Sequence, residues 1–118
     1  MPPRSTFADE RLAKSRHYLI LLALLAGDAH GLAIAREVER LSGGRVRLWP
    51  ATLYGSLEQL RRWGLIEELA EPPRGESERR RFYRITSAGR EAAGAETRRL
   101  AELVRVARGR TKPREKTA

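Results

Sequence analysis

A segment near the middle of the chain combines polar and small side chains at helical spacing. Pro50 suits the first position of a helix, because proline lacks the N–H that the helix would have to satisfy. Leu53, Leu57 and Leu60 recur three or four residues apart and predict its buried face. The remaining faces carry hydroxyl, amide and guanidinium groups and one glycine: Thr52, Tyr54, Gly55, Ser56, Gln59 and Arg62. Such donors and acceptors suit contacts to phosphate oxygens and base edges, so this surface is predicted to bind nucleic acid.

Small residues on the same surface favour the close approach of another molecule. Ala51 and Gly55 lie opposite the leucine stripe, and glycine inside a helix costs about 1 kcal/mol relative to alanine. Close contact with a partner would account for that cost. A chance run of small residues on a solvated face is the alternative that the residues leave open.

Arginines in a later loop form a second candidate contact. Residues 65–69 and 81–85 read as two strands of a hairpin, the second rich in aromatic and β-branched residues. The loop between them contains prolines and a glycine, and it ends on Arg79 and Arg80. A basic hairpin tip can contact the DNA backbone or the narrow minor groove. Three glutamates in the loop weaken this case, and a solvated loop is the alternative.

Composition limits the other functions. The 118 residues fit one domain, and the absence of cysteine excludes disulfides and thiol catalysis. With only two histidines and two aspartates and no phosphate-binding glycine loop, we expect no enzymatic activity, metal or cofactor. The longest apolar run, residues 18–26, is much shorter than the roughly 20 residues of a membrane span, and residues 1–16 lack a secretory signal pattern. A soluble cytoplasmic protein is therefore expected.

The net charge of +9 is unevenly distributed. Residues 18–69 carry six basic and six acidic side chains, whereas residues 98–118 carry eight basic and two acidic ones. A basic chain suggests a polyanionic partner without locating the contact surface. A basic solvated tail on a protein with unrelated activity is the alternative.

Four helices should position these groups. The first is predicted over residues 8–26, its apolar second half buried, and the second follows Gly31 with Ile34, Val38 and Leu41 on one face. Residues 45–48 alternate and suggest a very short strand. Thr86 is a suitable N-cap for the last helix. The order of elements predicts a mainly α fold with a small β-hairpin, in which helix 50–63 is the recognition helix of a winged helix-turn-helix.

The last helix carries an apolar stripe that points to a homodimer. Its members are Leu100, Leu103, Val104 and Ala107. A small domain is not expected to fold this helix back over a core already closed by three helices, so a second copy should cover the stripe. Ala92 and Ala93 would allow close approach near the helix start. The expected organisation is a disordered segment 1–7, a DNA-binding domain 8–86, a dimerisation helix 87–108 and a basic disordered tail 109–118.

Several short motifs follow one another in the order and spacing of a known family. They are His30-Gly31, Thr52-Leu53-Tyr54, Gly64-Leu65-Ile66, and the run from Arg81 to Thr86 followed by Gly89. Together they closely resemble the PadR-like transcriptional regulators, from about His17 to Leu103. The resemblance implies bacterial, dimeric, winged helix-turn-helix proteins that are mostly repressors of duplex DNA operators, many of them responding to small hydrophobic or aromatic compounds. The chain resembles the small members with a single C-terminal helix.

Three residues depart from the family pattern. An aromatic residue usually follows His-Gly, where this chain has Leu32, and glycine usually stands at Ala51. Trp49 replaces a small polar cap before the proline. Because no aromatic residue follows Tyr83, a drug site between aromatic side chains of the last helix is not expected.

The histidines and tryptophans have simpler interpretations to weigh. His30 is expected to cap or pack at a helix start, and His17 to lie on the surface or face a dimer cleft. Trp49 and Trp63 are interpreted first as core or interface anchors and second as the lining of an effector pocket. An RNA-binding winged helix and a protein-interaction scaffold stay as alternative functions. The first should expose stacking aromatic residues on the binding face, where only Tyr54 qualifies.

Overall fold

A computed structural model describes residues 15–75 and 80–113 of the chain. Three helices come first, α1 (Ser15–Leu25), α2 (Gly31–Leu41) and α3 (Pro50–Arg62), and a fourth, α4 (Ser87–Thr111), comes last. The strands are β1 (Ala29–His30), β2 (Ile66–Glu68) and β3 (Phe82–Ile85). This order confirms the predicted mainly helical fold with a small antiparallel sheet. The predicted segment 1–7 and the predicted helix start at residue 8 lie outside the described residues.

The sheet contains one strand, β1, that the sequence did not predict. β3 lies between β1 and β2 and is antiparallel to both. Ala29 pairs with Tyr83, and Ile66 pairs with Ile85. The strand predicted at residues 45–48 is absent. In this segment Leu48 is buried in the core and the arginines are exposed. The alternation therefore belongs to a loop with one side packed against the core and the other in solvent.

The core is centred on α1. Ile20, Leu21 and Leu24 are buried there, against Ile34 and Val38 of α2 and the leucine stripe of α3. Burying one such side chain contributes about 1.5–3 kcal/mol, so this cluster supplies most of the driving force for folding. Across residues 15–75 and 80–113, no helix has both the length and the apolar character needed to cross a membrane.

The start of α4 is tied to the end of α3. The Thr86 hydroxyl accepts a hydrogen bond from the Gly89 N–H at 3.0 Å and donates one to the Gly64 carbonyl at 2.6 Å. The predicted N-cap is thus confirmed. Gly89 lies so close to the preceding segment that an ideal Cβ on it would be 2.0 Å from the Leu65 carbonyl oxygen. The backbone at Gly89 is therefore in direct contact with the backbone at Leu65.

The first half of α4 packs on its own domain, contrary to expectation. Ala92 and Ala93 are buried within the chain, and the Tyr18 hydroxyl of α1 lies at hydrogen-bond distance, 2.7 Å, from Thr97 Oγ1. Small side chains allow α1 and α4 to approach, and the helix is long enough to extend beyond that contact. α4 also runs to Thr111, so residues 109–111 are helical, whereas the sequence predicted a disordered tail from residue 109.

Alanine at Gly89 should destabilise the fold strongly. The added methyl would overlap the Leu65 carbonyl, and overpacking of this kind typically costs 1–3 kcal/mol, so we expect Gly89→Ala to lower the free energy of unfolding by about 3 kcal/mol. Urea denaturation measures this. Gly94→Ala in the same helix is the control, because its nearest neighbour is the flexible Arg98 side chain at 3.4 Å, and it should gain up to about 1 kcal/mol. Equal effects of the two variants would contradict the account.

Candidate nucleic-acid interface

Helix α3 exposes most of the predicted contact residues. Its leucine stripe is buried, and five of the six predicted residues on the remaining faces are exposed: Thr52, Tyr54, Gly55, Gln59 and Arg62. In the described part of the chain, no atom of another element lies within 4 Å of an ideal Cβ on Gly55. Internal packing therefore does not account for the glycine. Contact of this face with nucleic acid stays a prediction.

Ser56 is not a surface residue, and its predicted direct contact is wrong. Its side chain is buried. The Oγ donates to the Thr52 carbonyl at 2.7 Å and accepts from the Arg16 Nε at 3.1 Å. The hydroxyl is thus used within the protein, where it connects α3 to α1. Arg16 is the residue that sequence reasoning missed here.

Ion pairs reduce the positive charge at the end of α3. Arg61 donates to Glu58 at 2.6 Å and Arg62 does so at 3.3 Å. The Arg61 hydrogen bond, helped by the charges of both arginines, lowers the pKa of Glu58 to about 2. The same hydrogen bond raises the pKa of Arg61. Glu58 therefore stays ionised and partly neutralises the predicted contact residue Arg62.

Two of the sequence motifs meet where α2 begins. The Tyr54 ring of α3 lies over Gly31, where an ideal Cβ would be 2.9 Å from the phenol oxygen. A side chain at position 31 would displace Tyr54. The glycine of His30-Gly31 and the tyrosine of Thr52-Leu53-Tyr54 are therefore spatial partners, which their separation in the sequence conceals.

His30 joins the start of α2 to the wing, defined as β2, β3 and the loop between them. Its Nδ1 accepts the Ala33 N–H at 3.2 Å, and its ring packs edge-on against Phe82 at 5.4 Å between centroids, which confirms the predicted capping and packing role. The Nε2 lies 2.8 Å from Arg80 Nη1. Which of these two atoms donates depends on the tautomer of the imidazole. Arg79, the other predicted wing contact, lies outside the described residues.

Two adjoining open grooves run along the starts of α2 and α3. The first, about 480 Å³, is lined by His30, Leu32, Tyr54, Arg80 and Arg81. The second, about 420 Å³, shares Leu32 and Tyr54 and continues past Trp49. Arg81 and Leu32 were not among the predicted site residues. The departure of Leu32 from the family pattern was the signal that could have identified it.

Trp49 and Trp63 lie apart, so each is a separate candidate for the lining of an effector pocket, and that role stays a prediction. They flank α3 at opposite ends, and its 13 residues span about 20 Å. Trp49 is exposed beneath the Arg47 guanidinium, which lies 5.7 Å from its ring centroid. Trp63 is half-buried and packs against His17, with ring centroids 5.3 Å apart. His17 is fully buried, so its predicted surface position is also wrong.

The apolar stripe of α4 remains largely uncovered within one chain. Leu103 is 51% exposed and Val104 48%, Ala107 is exposed, and Leu100 is half-buried. These residues lie beyond the part of α4 that packs on α1. Their role in a dimer interface stays a prediction.

Residues 20–95 match the sequence model of the Transcriptional regulator PadR-like family. Among curated proteins, the chain is 39% identical over 85 residues to an uncharacterized 37.1 kDa protein in transposon TN4556 of Streptomyces fradiae. The match covers 72% of this chain and 23% of that protein, so the chain spans about a quarter of the length of its relative.

Solved structures show the same fold at low sequence identity. A transcriptional regulator from Clostridium thermocellum is 22% identical with a TM-score of 0.68, and the match covers 91% of this chain and 99% of that one. The PcaV transcriptional regulator from Streptomyces coelicolor, solved in complex with its natural ligand, is 23% identical with a TM-score of 0.69. That match covers 88% of this chain and 66% of PcaV.

Removal of the Glu58 charge should strengthen binding to duplex DNA. Glu58→Gln releases Arg61 and Arg62 from a carboxylate, so we expect higher affinity for DNA. The affinity should also depend more steeply on salt, and the increase in slope should correspond to at most about two additional phosphate contacts. Fluorescence anisotropy at several salt concentrations measures both. Glu102→Gln is the matched control. It breaks the ion pair between Glu102 and Arg105, which are three positions apart on α4 as Glu58 and Arg61 are on α3, and it changes the net charge by the same amount. An equal gain in both variants would assign the effect to net charge alone.

Proposed function

The chain belongs to the PadR-like family of transcriptional regulators, and we propose that it represses transcription by binding a specific duplex operator in the bacterial cytoplasm. The observation that supports this best is the exposed polar face of α3 beside the wing. In helix-turn-helix proteins the second helix of the motif lies in the major groove and its N-terminal residues contact base edges. Here that helix is α3. The repressor role rests on the family resemblance.

The described groups suit distinct parts of such a complex. Thr52 and Gln59 offer hydroxyl and amide groups for base edges or phosphates. Gly55 would allow the α3 backbone to approach the groove closely, because it presents no side chain. Arg80 is exposed at the wing, where its guanidinium would donate to a backbone phosphate. We propose these roles for the interface and assign no enzymatic activity.

We propose that two copies bind together through α4. Leu103 and Val104 lie on one face of the helix with Leu100 and Ala107, and about half of each of the first two side chains is exposed. Monomers rarely leave a contiguous apolar stripe of this kind in water. A second copy related by a two-fold axis would bury it and present two α3 helices to a palindromic site.

Release by a small hydrophobic or aromatic compound completes the proposal. Its support is the family resemblance and a structural neighbour, PcaV, that was solved with its natural ligand. Either Trp49 or Trp63 would line the effector site, since the two lie at opposite ends of α3. Displacement of labelled operator by added compound is the measurement.

Footprinting of the full chain on fragments of its source genome tests the proposed function. We expect two protected half-sites about one helical turn apart. Tyr54→Ala and Gln59→Ala should each weaken operator binding severalfold. Thermal unfolding should be nearly unchanged in Gln59→Ala, whose side chain is exposed, whereas Tyr54→Ala also removes the ring that packs over Gly31 and should lower the unfolding temperature. Protection of a single isolated half-site, or unchanged binding by both variants, would contradict the proposed interface.

A charge in the α4 stripe should separate the dimer. Leu103→Asp would place a carboxylate in the proposed apolar interface, so we expect monomers at micromolar concentration in sedimentation equilibrium. Operator affinity should fall steeply, because each half-site then binds without the effective concentration that the linked copy provides. Leu41→Asp, another exposed leucine, is the control and should stay dimeric. A dimeric Leu103→Asp with normal binding would place the interface elsewhere.

A further inference from the structure

Three large side chains form an exposed patch at the start of α3. Leu32 is 50% exposed, Trp49 64% and Tyr54 49%. All three line the same groove of about 420 Å³, with Pro50 and Leu53 beside them. We call Leu32, Trp49 and Tyr54 the Trp49 patch. It lies on a different element from the α4 stripe, so a dimer formed through α4 leaves it without an assigned partner.

Trp49 does not serve the helix that it precedes. It is the N-cap residue of α3, yet its side chain makes no capping hydrogen bond. A serine, threonine, asparagine or aspartate there would supply one. One face of the indole is instead covered by the Arg47 guanidinium, which lies over the ring and donates a hydrogen bond to Glu39 at 3.1 Å. The ring is thereby positioned at the surface, which suggests that it contacts another molecule.

The charges around the patch favour an anionic partner with an apolar centre. Arg36 and Arg47 line the groove, with Glu39 as the one acidic residue among its described lining, and Arg80 and Arg81 line the adjoining groove. Duplex DNA has this character, because phosphates flank a major groove in which the thymine C5-methyl is the apolar group. Small ligands are usually 70–90% buried. This groove is open and leaves the Trp49 indole 64% exposed, so it would enclose little of a small ligand and is better matched by a large surface.

We propose that the Trp49 patch packs against a thymine methyl group in each operator half-site, so that Trp49 is a specificity-determining residue. The proposal rests on the proposed function, since it requires the start of α3 to lie in the major groove. The patch is continuous with the predicted contact face through Tyr54, which belongs to both. Polar residues of α3 then select bases by hydrogen bonds, whereas Trp49 and Leu32 select a methyl group by apolar contact.

Replacement of thymine by deoxyuridine tests this, because uracil lacks only the methyl group. Each thymine of the footprinted half-site is replaced in turn, and the Kd is measured for the wild type and for Trp49→Ala. At one or two positions the wild type should lose about fourfold in affinity, the equivalent of one buried methyl group at about 0.8 kcal/mol. Trp49→Ala should bind the thymine operator more weakly and be insensitive to the same replacement.

Matched variants separate the patch from general effects on the protein. Leu32→Ala should weaken binding less than Trp49→Ala, and Leu41→Ala, an exposed leucine at the other end of α2, should have no effect. Because Trp49 is exposed, thermal unfolding of Trp49→Ala should match that of the wild type.

Each contrary result has its own meaning. Normal operator binding by Trp49→Ala, with Gln59→Ala impaired, would overturn the proposal, keep the proposed function and leave the groove to a small molecule or another protein. Weaker binding by Trp49→Ala without sensitivity to uracil at any position would overturn the thymine contact in favour of a backbone contact. A wild type that binds no duplex would overturn the proposed function and this inference with it.

Discussion

The contact between Gly89 and the Leu65 carbonyl determines how the two functional parts of the molecule are connected. The Thr86 N–H donates to the same carbonyl at 3.0 Å, and the Thr86 hydroxyl bridges the Gly64 carbonyl and the Gly89 N–H. The end of α3, the start of β2 and the start of α4 thus meet within a few ångströms. No side chain at position 89 larger than hydrogen fits there. The direction of α4 is therefore set relative to α3, and a dimer made through α4 would inherit a defined separation of its two α3 helices.

Local signals explain which elements the sequence predicted well. Pro50, Gly64 and Thr86 end or begin elements through the local chemistry of their own backbone or side chain, so α3 and the start of α4 were found close to their observed limits. Strand β1 was missed because two residues carry no periodicity, and it exists only through pairing with β3 far along the chain. The strand predicted at residues 45–48 is absent although its apolar and polar residues do alternate. Among the residues that the structure describes, no strand pairs with this segment, and alternation without a pairing partner does not make a strand.

The candidate site shows the same division between local and long-range information. Periodicity correctly assigned the buried leucines of α3 and thus the exposure of Tyr54 and Gln59. It misplaced Ser56, because a small hydroxyl can be buried when it donates to its own helix and accepts from a distant arginine. The packing of Tyr54 over Gly31 and of His17 against Trp63 joins residues from different elements. A single sequence contains no signal for such pairs.

The distribution of charge separates affinity from specificity in the proposed complex. Most of the excess positive charge lies in residues 98–118, whereas the arginines at the end of α3 share the Glu58 carboxylate. Phosphate contacts dominate affinity and its dependence on salt. A nearly neutral α3 therefore contributes little to non-specific attraction, and the wing and the start of α2 must supply the phosphate contacts near it. The contribution of α3 is instead its shape. Gly55 permits close approach, the polar groups are short, and the Trp49 indole lies at the N-cap. A surface of this kind discriminates between sequences by fit, because a wrong base leaves its apolar or polar groups without a partner.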